Sequence, residues 1–368
     1  MKTVVTGATG FVGAHLARQL AERGDDVRVT YRNPETLEAL KGVKFRKSKA
    51  DVLDYKAMRR ACRGCEVLYH TAGYVGSSPL ERVWRLNAHS PLIAVEAAAA
   101  EGLKRVVVTS TISAIGPANG RPADENTEYP ENWIGLAYPD SKHNGEREAL
   151  EAGERHGIEV VVVNPAYVLG VPVNPDQRGD NSTRTVGSYL RGRLPAVIDA
   201  PMNFVDVEEV ARGHILAAER GKPGERYILG GENLTWPGLV DRMAEFSDIH
   251  VPVLVLPREV AWIARVREAI GLPGLISTQG YELMGQNWSF SSKKAERELG
   301  YSAHSIDETL RSTIAWYQGL IEDGMFEDAD NSGLSRMAGG VRAAGRLGLL
   351  SPFRLGQRVA GRRVLAGV

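Results

Sequence analysis

Short apolar runs alternate with longer amphipathic segments through the first half of the chain. Strands are predicted at 3–6, 27–31, 43–46, 67–70, 106–110 and 160–164, most of them Val-rich and without a polar face. Between them, helical patterns fall near 13–23, 34–41, 54–62, 80–101 and 141–156; in the first, Val12, Leu16 and Leu20 stand four apart. Apolar strands alternating with helices indicate a parallel sheet covered on both faces. Ligands of such sheets sit at the carboxyl ends of the strands.

After Asn164 the pattern loosens into loops, "NPAYVLGVPVNPDQRGDNSTRT", and segments near 183–203 and 227–290 read as a smaller cap beside the sheet. A helix returns in "VDVEEVARGHILAAERG", where Asp206 is the expected N-cap and Glu208 and Glu209 suit the positive end of the dipole. The last ordered helix is expected within "SIDETLRSTIAWYQGLIEDG". The expected division is a sheet domain over 1–165 with returns near 204–230, a cap mainly over 166–325, and a basic tail over 326–368. From Asn331 onward there are seven arginines and no acidic residue. Repeated glycines weaken a helix there, so a flexible tail is expected; a segment that touches an anionic membrane surface or a partner is the other reading.

The 45 basic and 45 acidic side chains balance, which gives no field for nucleic acid. Met1 is followed at once by a strand and a glycine turn, and no run approaches the roughly 18 apolar residues of a membrane span. A soluble cytoplasmic protein is the expectation. Cys62 and Cys65 form a C-x-x-C without further ligands at metal spacing, so two small residues in a helix-to-strand turn are favoured over a redox pair or a zinc site. The eight histidines show no metal-binding pattern.

Four features carry chemistry. "TGATGFVG" places Gly7, Gly10 and Gly13 between a strand and a helix. That suits either a pyrophosphate cradle on the helix N-terminus or a tight turn without ligand. Tyr138 is the only one of twelve tyrosines with lysine at i+4, Lys142, and the spacing puts both on one helix face. A nearby ammonium lowers a phenol's pKa, fitting it for proton transfer; an amphipathic helix start with a snorkelling lysine is the plainer alternative. Pro139 makes Tyr138 the expected cap residue and Pro139 the first helical one. The strand "RVVVTST" ends in hydroxyls at Thr109, Ser110 and Thr111, and Arg32 follows Tyr31 where an acidic residue would serve NAD, so Arg32 favours the 2′-phosphate of NADP(H).

The ordered set "TGATGFVG", "ADVLD", "LYHTAG", "VVVTST", "YPDSK" and "NPAYVLG" resembles the extended short-chain dehydrogenase/reductase family over about residues 1–320, and within it the dihydroflavonol reductase-like branch. The resemblance implies an α/β, Rossmann-type doubly wound parallel sheet with a smaller C-terminal substrate-binding cap. By position it makes Gly7, Gly10 and Gly13 the pyrophosphate turn, with Phe11 and Val12 as backbone donors. Asp51 and Val52 would border the adenine, Thr71 and Ala72 the ribose and pyrophosphate path, and Pro165, Ala166 and Val168 the nicotinamide. Thr111, with Ser110 as fallback, matches the hydroxyl that holds the substrate oxygen; Tyr138 matches the proton donor and Lys142 its partner. Two departures follow. "NAHSP" puts Pro91 where a Gly-Thr pair is usual, which implies a helix kink and weakens the claim of Asn87. Asn203 stands near the place of an arginine that binds nucleotide-sugar diphosphates, which argues against such a substrate.

The expectation is an NADP(H)-dependent oxidoreductase acting on a carbonyl or secondary alcohol of an apolar small molecule, an aldehyde, ketone or sterol-like compound, with NAD(H) as the other cofactor. Trp133, Trp236, Trp262 and Trp288 are available to wall an apolar pocket, or simply to pack the cap. The alternatives are an NAD-dependent sugar epimerase or dehydratase and a non-catalytic NADP-binding scaffold. No metal is expected; a homodimer is the expected assembly of the family.

Overall fold

The computed structural model describes residues 1–130, 134–176, 182–258, 278–326, 333–346 and 363–367. Seven strands form one parallel sheet: β1 (Lys2–Thr6), β2 (Asp26–Tyr31), β3 (Arg46–Lys49), β4 (Val67–His70), β5 (Arg105–Thr109), β6 (Glu159–Pro165) and β10 (Arg226–Leu229). Their order is β10-β6-β5-β4-β1-β2-β3. The direction of winding therefore reverses between β1 and β4, and a crevice opens there at the carboxyl ends.

The Val-rich runs explain the layering. Along β5, Val107 faces one side and Val106 and Val108 the other, and all three are buried. Val107 joins Val5, Leu16, Val163, Val210 and Ala211, so its side is covered by α1 (Phe11–Glu22) and α7 (Val207–Arg220). Val106 and Val108 join Met58, Leu68, Val95, Ala149 and Val162, on the side of α2 (Tyr55–Cys62), α4 (Ser90–Ala100) and α5 (Ala137–His156). Each fully buried valine is worth roughly 1.5–3 kcal/mol, so a strand apolar on both faces is stable only in the middle layer. Asp206 caps α7 by accepting the Glu208 N–H at 2.7 Å, as the sequence leads one to expect.

The edge strand β3 lies at 46–49 and not at 43–46. Its sequence, RKSK, is held by main-chain pairing to β2 without an apolar face that could mark it. The segment 80–101 is broken as Pro91 implies: α3 (Leu80–Trp84) passes into a π-helical stretch, Arg85–His89, before α4. α5 begins at Ala137, one residue before Tyr138, and Pro139 still lies in the first turn, where its missing N–H has no intrahelical partner to lose.

The rest of the described residues add a short helix, α6 (Arg184–Leu190), and two three-stranded sheets. In one, β9 (Pro201–Asp206) runs parallel to β7 (Tyr167–Leu169) and antiparallel to β11 (Glu232–Thr235). In the other, β12 (Val253–Leu256) pairs with β8 (Ala196–Ile198) and with β13 (Leu365–Ala366). The expectation of a flexible tail is thus corrected for two stretches. Residues 333–346 are helical, with Arg342 donating to the Arg191 carbonyl at 3.2 Å. Leu365 and Ala366 are buried against β12, fixed by Arg363 on Asp241 and by Gly367 N–H on the same carboxylate at 3.0 Å. The apolar "VLA" after the arginine pair supplies the strand. Trp236 and Trp288 are buried at 2% and 1% exposure, and Trp236 packs edge-on against Tyr167 and Phe204. They are packed into the core; Trp133 and Trp262 lie outside the described residues. Among the described residues no helix is long and apolar enough to cross a membrane, and no His, Cys, Asp and Glu group could hold a metal. Cys62 and Cys65 are buried free thiols whose pKa values burial raises, that of Cys62 to about 12.

Candidate active site

The glycine turn occupies the crevice between β1 and β4. Gly7 has φ +67°, and a Cβ there would meet the Ala72 nitrogen at 2.6 Å; one on Gly13 would lie 2.2 Å from the Gly7 oxygen and 2.6 Å from Thr71 Oγ1. The turn therefore closes directly on the end of β4, and Thr71 Oγ1 ties the two by donating to the Thr6 carbonyl at 2.6 Å. Gly10 opens α1 with no side-chain cap and no acidic residue in the first turn. The N–H groups around Phe11 and Val12 and the positive dipole end are left for an anion, which fits a dinucleotide pyrophosphate.

Arg32 follows β2 and is exposed; its Nη1 lies 4.0 Å from Asp51 Oδ2, on the rim formed by the ends of β2 and β3. Asp51 Oδ1 accepts from the Leu53 N–H at 3.0 Å, and Val52 beside it is buried. Pro165 ends β6, Ala166 is held by its N–H on the Leu229 carbonyl at 3.1 Å, and Val168 lies in β7.

The three reacting candidates meet beyond β5. Thr111 caps a short 3-10 turn, Ile112–Ala114, with Oγ1 accepting from the Ser113 N–H at 3.3 Å. Its hydroxyl faces the Tyr138 phenol and favours the ionised form of that phenol. Lys142 is buried, and its Nζ donates to the Thr109 carbonyl at 3.0 Å. A Cβ on Gly73 would lie 2.9 Å from Lys142 Nζ and 3.2 Å from Asn87 Oδ1, so the close of β4 borders the ammonium. The start of α5 is fastened by Asp140, which accepts from Tyr129 Oη at 2.5 Å and from the Ile134 N–H at 3.1 Å.

The expected electrostatics need correction. Burial pushes the Tyr138 phenol up to about 12, and the Thr111 hydroxyl, not Lys142, is what opposes the rise. Lys142 donates to a main-chain carbonyl, and burial draws its pKa down to about 8 against the pull of Glu146. At neutral pH the phenol keeps its proton, which suits a donor.

The other hydroxyls of the strand end are placed elsewhere. Thr109 Oγ1 bonds His214 Nε2 at 2.8 Å on the α7 side, and His214 Nδ1 bonds the Val210 carbonyl at 2.7 Å. Burial lowers His214 to about 4, so the neutral ring accepts from Thr109. Ser110 Oγ is buried without a partner among the described residues.

Sequence reasoning discounted Asn87 and missed His70, Asn164 and Glu146. Asn87 is fully buried; its Oδ1 accepts from the Tyr74 N–H at 2.8 Å and its Nδ2 donates to the Tyr74 carbonyl at 2.9 Å, clamping the loop after β4. His70 bridges Thr6 Oγ1 at 2.9 Å and Ser90 Oγ at 3.0 Å, and burial lowers it to about 3. The i+4 spacing from Lys142 to Glu146 was the available signal for the last. A cavity of about 280 Å³ is lined by residues that include Glu125, His143, Glu146, Arg226 and Lys294, and by none of Thr111, Tyr138 and Lys142. Asn203, near the place of the absent diphosphate arginine, is fully buried; its Oδ1 accepts from the Gly231 N–H and its Nδ2 donates to Asn233, both at 2.8 Å.

A family model described as the NAD dependent epimerase/dehydratase family matches residues 3–230. The chain is 33% identical over 327 residues to a putative dihydroflavonol 4-reductase of Synechocystis, covering 85% of this chain and 94% of the relative. It is 29% identical to sterol demethylase protein B of Methylococcus capsulatus, with 86% and 98% covered. Among solved structures, PA4631, a nucleoside-diphosphate-sugar epimerase from Pseudomonas aeruginosa, aligns with TM-score 0.71 and 26% identity over 89% of this chain and 99% of that one.

Proposed function

The chain belongs to the NAD dependent epimerase/dehydratase family, and from that premise we propose that it is an NADP(H)-dependent reductase of a carbonyl group on an apolar small molecule. The observation that carries this reading is the meeting of a protonated phenol, Tyr138, with the Thr111 hydroxyl beside the buried Lys142 ammonium, at the strand ends next to a glycine turn fit for a pyrophosphate. NADPH, when bound, supplies a hydride. Thr111 donates a hydrogen bond to the substrate oxygen and stabilises the charge that grows there. Tyr138 gives that oxygen its proton. Lys142 holds positive charge behind the phenol as it loses its proton, and it would hold the nicotinamide ribose. Gly7, Gly10, Phe11, Val12 and Gly13 would hold the pyrophosphate, Thr71 and Ala72 the path to the ribose, Asp51 and Val52 the adenine, and Pro165, Ala166 and Val168 the nicotinamide. Arg32, exposed on the rim, would pair with the 2′-phosphate.

Relatives named for a dihydroflavonol reductase and for a sterol demethylase favour an apolar ketone, aldehyde or sterol-like alcohol as substrate. The likeness to a nucleoside-diphosphate-sugar epimerase favours a second reading, an NAD-dependent epimerase or dehydratase, in which the same phenol and lysine serve. Asn203 weighs against it, since a neutral amide committed to Gly231 and Asn233 cannot neutralise a diphosphate. A cytoplasmic enzyme and a homodimer go with the first reading.

The test is a fluorescence titration with NADPH and with NADH. We expect NADPH to bind at least about tenfold tighter, and Arg32→Ala to abolish that preference, as loss of one charge-assisted contact predicts. Bound NAD carried through purification, with indifference to NADPH, would favour the epimerase or dehydratase. NADPH binding without turnover of any carbonyl compound would favour a non-catalytic scaffold.

A further inference from the structure

A second polar layer lies behind the reacting groups. Glu146 stands one turn after Lys142 on α5 with its side chain 5% exposed. Its Oε2 accepts from Asn164 Nδ2 at 3.0 Å, and its Oε1 accepts from Arg226 Nη1 at 3.2 Å. The same Asn164 Nδ2 donates to the Thr111 carbonyl at 3.0 Å. One amide thus joins the catalytic helix to the main chain of the residue whose hydroxyl meets Tyr138. Arg226, on β10, is fixed in turn by the Glu125 carbonyl, at 3.0 Å from Nε and 2.7 Å from Nη2.

The orientation of this amide is forced. Both groups it faces, a carboxylate and a carbonyl, are acceptors, so a flipped amide would place oxygen against oxygen. Asn164 is fully buried, yet its Oδ1 has no partner among the described residues. An orphaned buried acceptor costs about 1–3 kcal/mol, so a residue kept there despite it is kept for its donors. Among the described residues those donors serve only Thr111 and Glu146.

We propose that Glu146 is a positioning residue of the reductase site: through Asn164 it fixes the main chain at Thr111, and it sets its carboxylate one turn from Lys142. This rests on the reading of Thr111, Tyr138 and Lys142 as the reacting groups. The ionisable groups electrostatically coupled to Lys142 are Glu146 on its own helix and His70 from β4; burial holds His70 neutral, leaving Glu146 as the coupled charge. Asn87 and the Thr109 carbonyl add dipoles, and Arg226 backs Glu146 from β10.

The experiment follows the Lys142 side-chain ¹⁵N resonance with pH in the full-length protein, assigned by its loss in Lys142→Arg, alongside the pH profile of NADPH-dependent carbonyl reduction. In Glu146→Gln we expect the Lys142 midpoint to fall by about one pH unit and the alkaline limb of kcat to move with it. At optimum pH kcat should fall about tenfold with KM within about twofold. Glu146→Asp, which keeps the charge and withdraws it by one methylene, should lie between Glu146→Gln and the native chain. An unmoved midpoint in Glu146→Gln overturns the proposal, as does a raised KM with kcat kept. If Glu146→Gln does not fold, Glu146→Asp decides alone: a lower midpoint supports the proposal and an unmoved one overturns it. The midpoint is read without substrate, so it judges Glu146 alone; a Tyr138→Phe variant as active as the native chain would instead sink the reductase reading.

Discussion

The parallel sheet and the cap place their side chains by different rules. In the sheet, register does it: Thr6 lies beside His70, His70 beside Val108, and the chemistry collects where these strands stop. Loops can vary there without moving Tyr138 relative to Thr111, because buried hydrogen bonds and helix packing hold both. In the cap, the aromatic side chains that would be natural pocket walls are the core itself: Trp236, Trp288 and Phe204 are all 2% exposed or less. Chemistry thus collects at the strand ends of the sheet half, while the cap aromatics are committed to stability.

The largest expected effect separates the two halves. Tyr138→Phe removes the proton donor and leaves the packing, so kcat should fall about a thousandfold while the melting temperature stays near that of the native chain. Steady-state kinetics beside thermal melts would show it. A comparable loss of stability would mean that the phenol is structural.

Trp288→Ala should do the reverse. Deleting a fully buried indole, which also donates to the Leu283 carbonyl at 2.6 Å, should cost about 3–5 kcal/mol in denaturant unfolding. NADPH affinity of the protein that remains folded should change little. If affinity falls in step with stability, the halves are one cooperative unit and the contrast drawn here fails.

A smaller effect comes with acid. His70 at the end of β4 and His214 on α7 are buried and neutral, with pKa values drawn from 6.5 to about 3 and about 4. The unfolded chain takes up these protons first, so the stability they confer is complete above about pH 6.5 and declines as pH falls toward 4 and then 3. Denaturant midpoints at pH 7.5 and pH 5 should differ by up to about 2 kcal/mol per imidazole. His70→Gln should flatten part of that slope, whereas Trp288→Ala should lower the midpoint and leave the slope alone.

What could be seen in the sequence follows the same division. The sheet strands are legible because Val-rich runs with no polar face have one place to go, and the glycine turn because its spacing is tied to a strand before and a helix after. β3 was misplaced because an edge strand of Arg, Lys and Ser pairs through its backbone alone. Asn164 hid inside an apolar strand and Glu146 inside the charged run "GEREALEAGER", where a solvated helix face is the ordinary expectation. Asn164 cannot be read without knowing that β6 lies under α5, and the i+4 step from Lys142 is the one sequence hint of Glu146. The direction of the phenol's pKa is not legible either, because spacing gives the distance along a helix and says nothing of the burial that raises it here. The tail was judged by its glycines, while three apolar residues after an arginine pair were enough to complete a sheet.

The most direct test of the central claim is to offer NADPH deuterated at the transferring position of C4 with a panel of apolar ketones, aldehydes and sterol-like substrates, and to locate the label by mass spectrometry. Deuterium is expected on the carbinol carbon of a released product, with free NADP⁺ formed in equal amount and both lost in Tyr138→Phe. Label that stays with the cofactor, while a sugar nucleotide is epimerised or dehydrated with no net oxidation of NADPH, would contradict it.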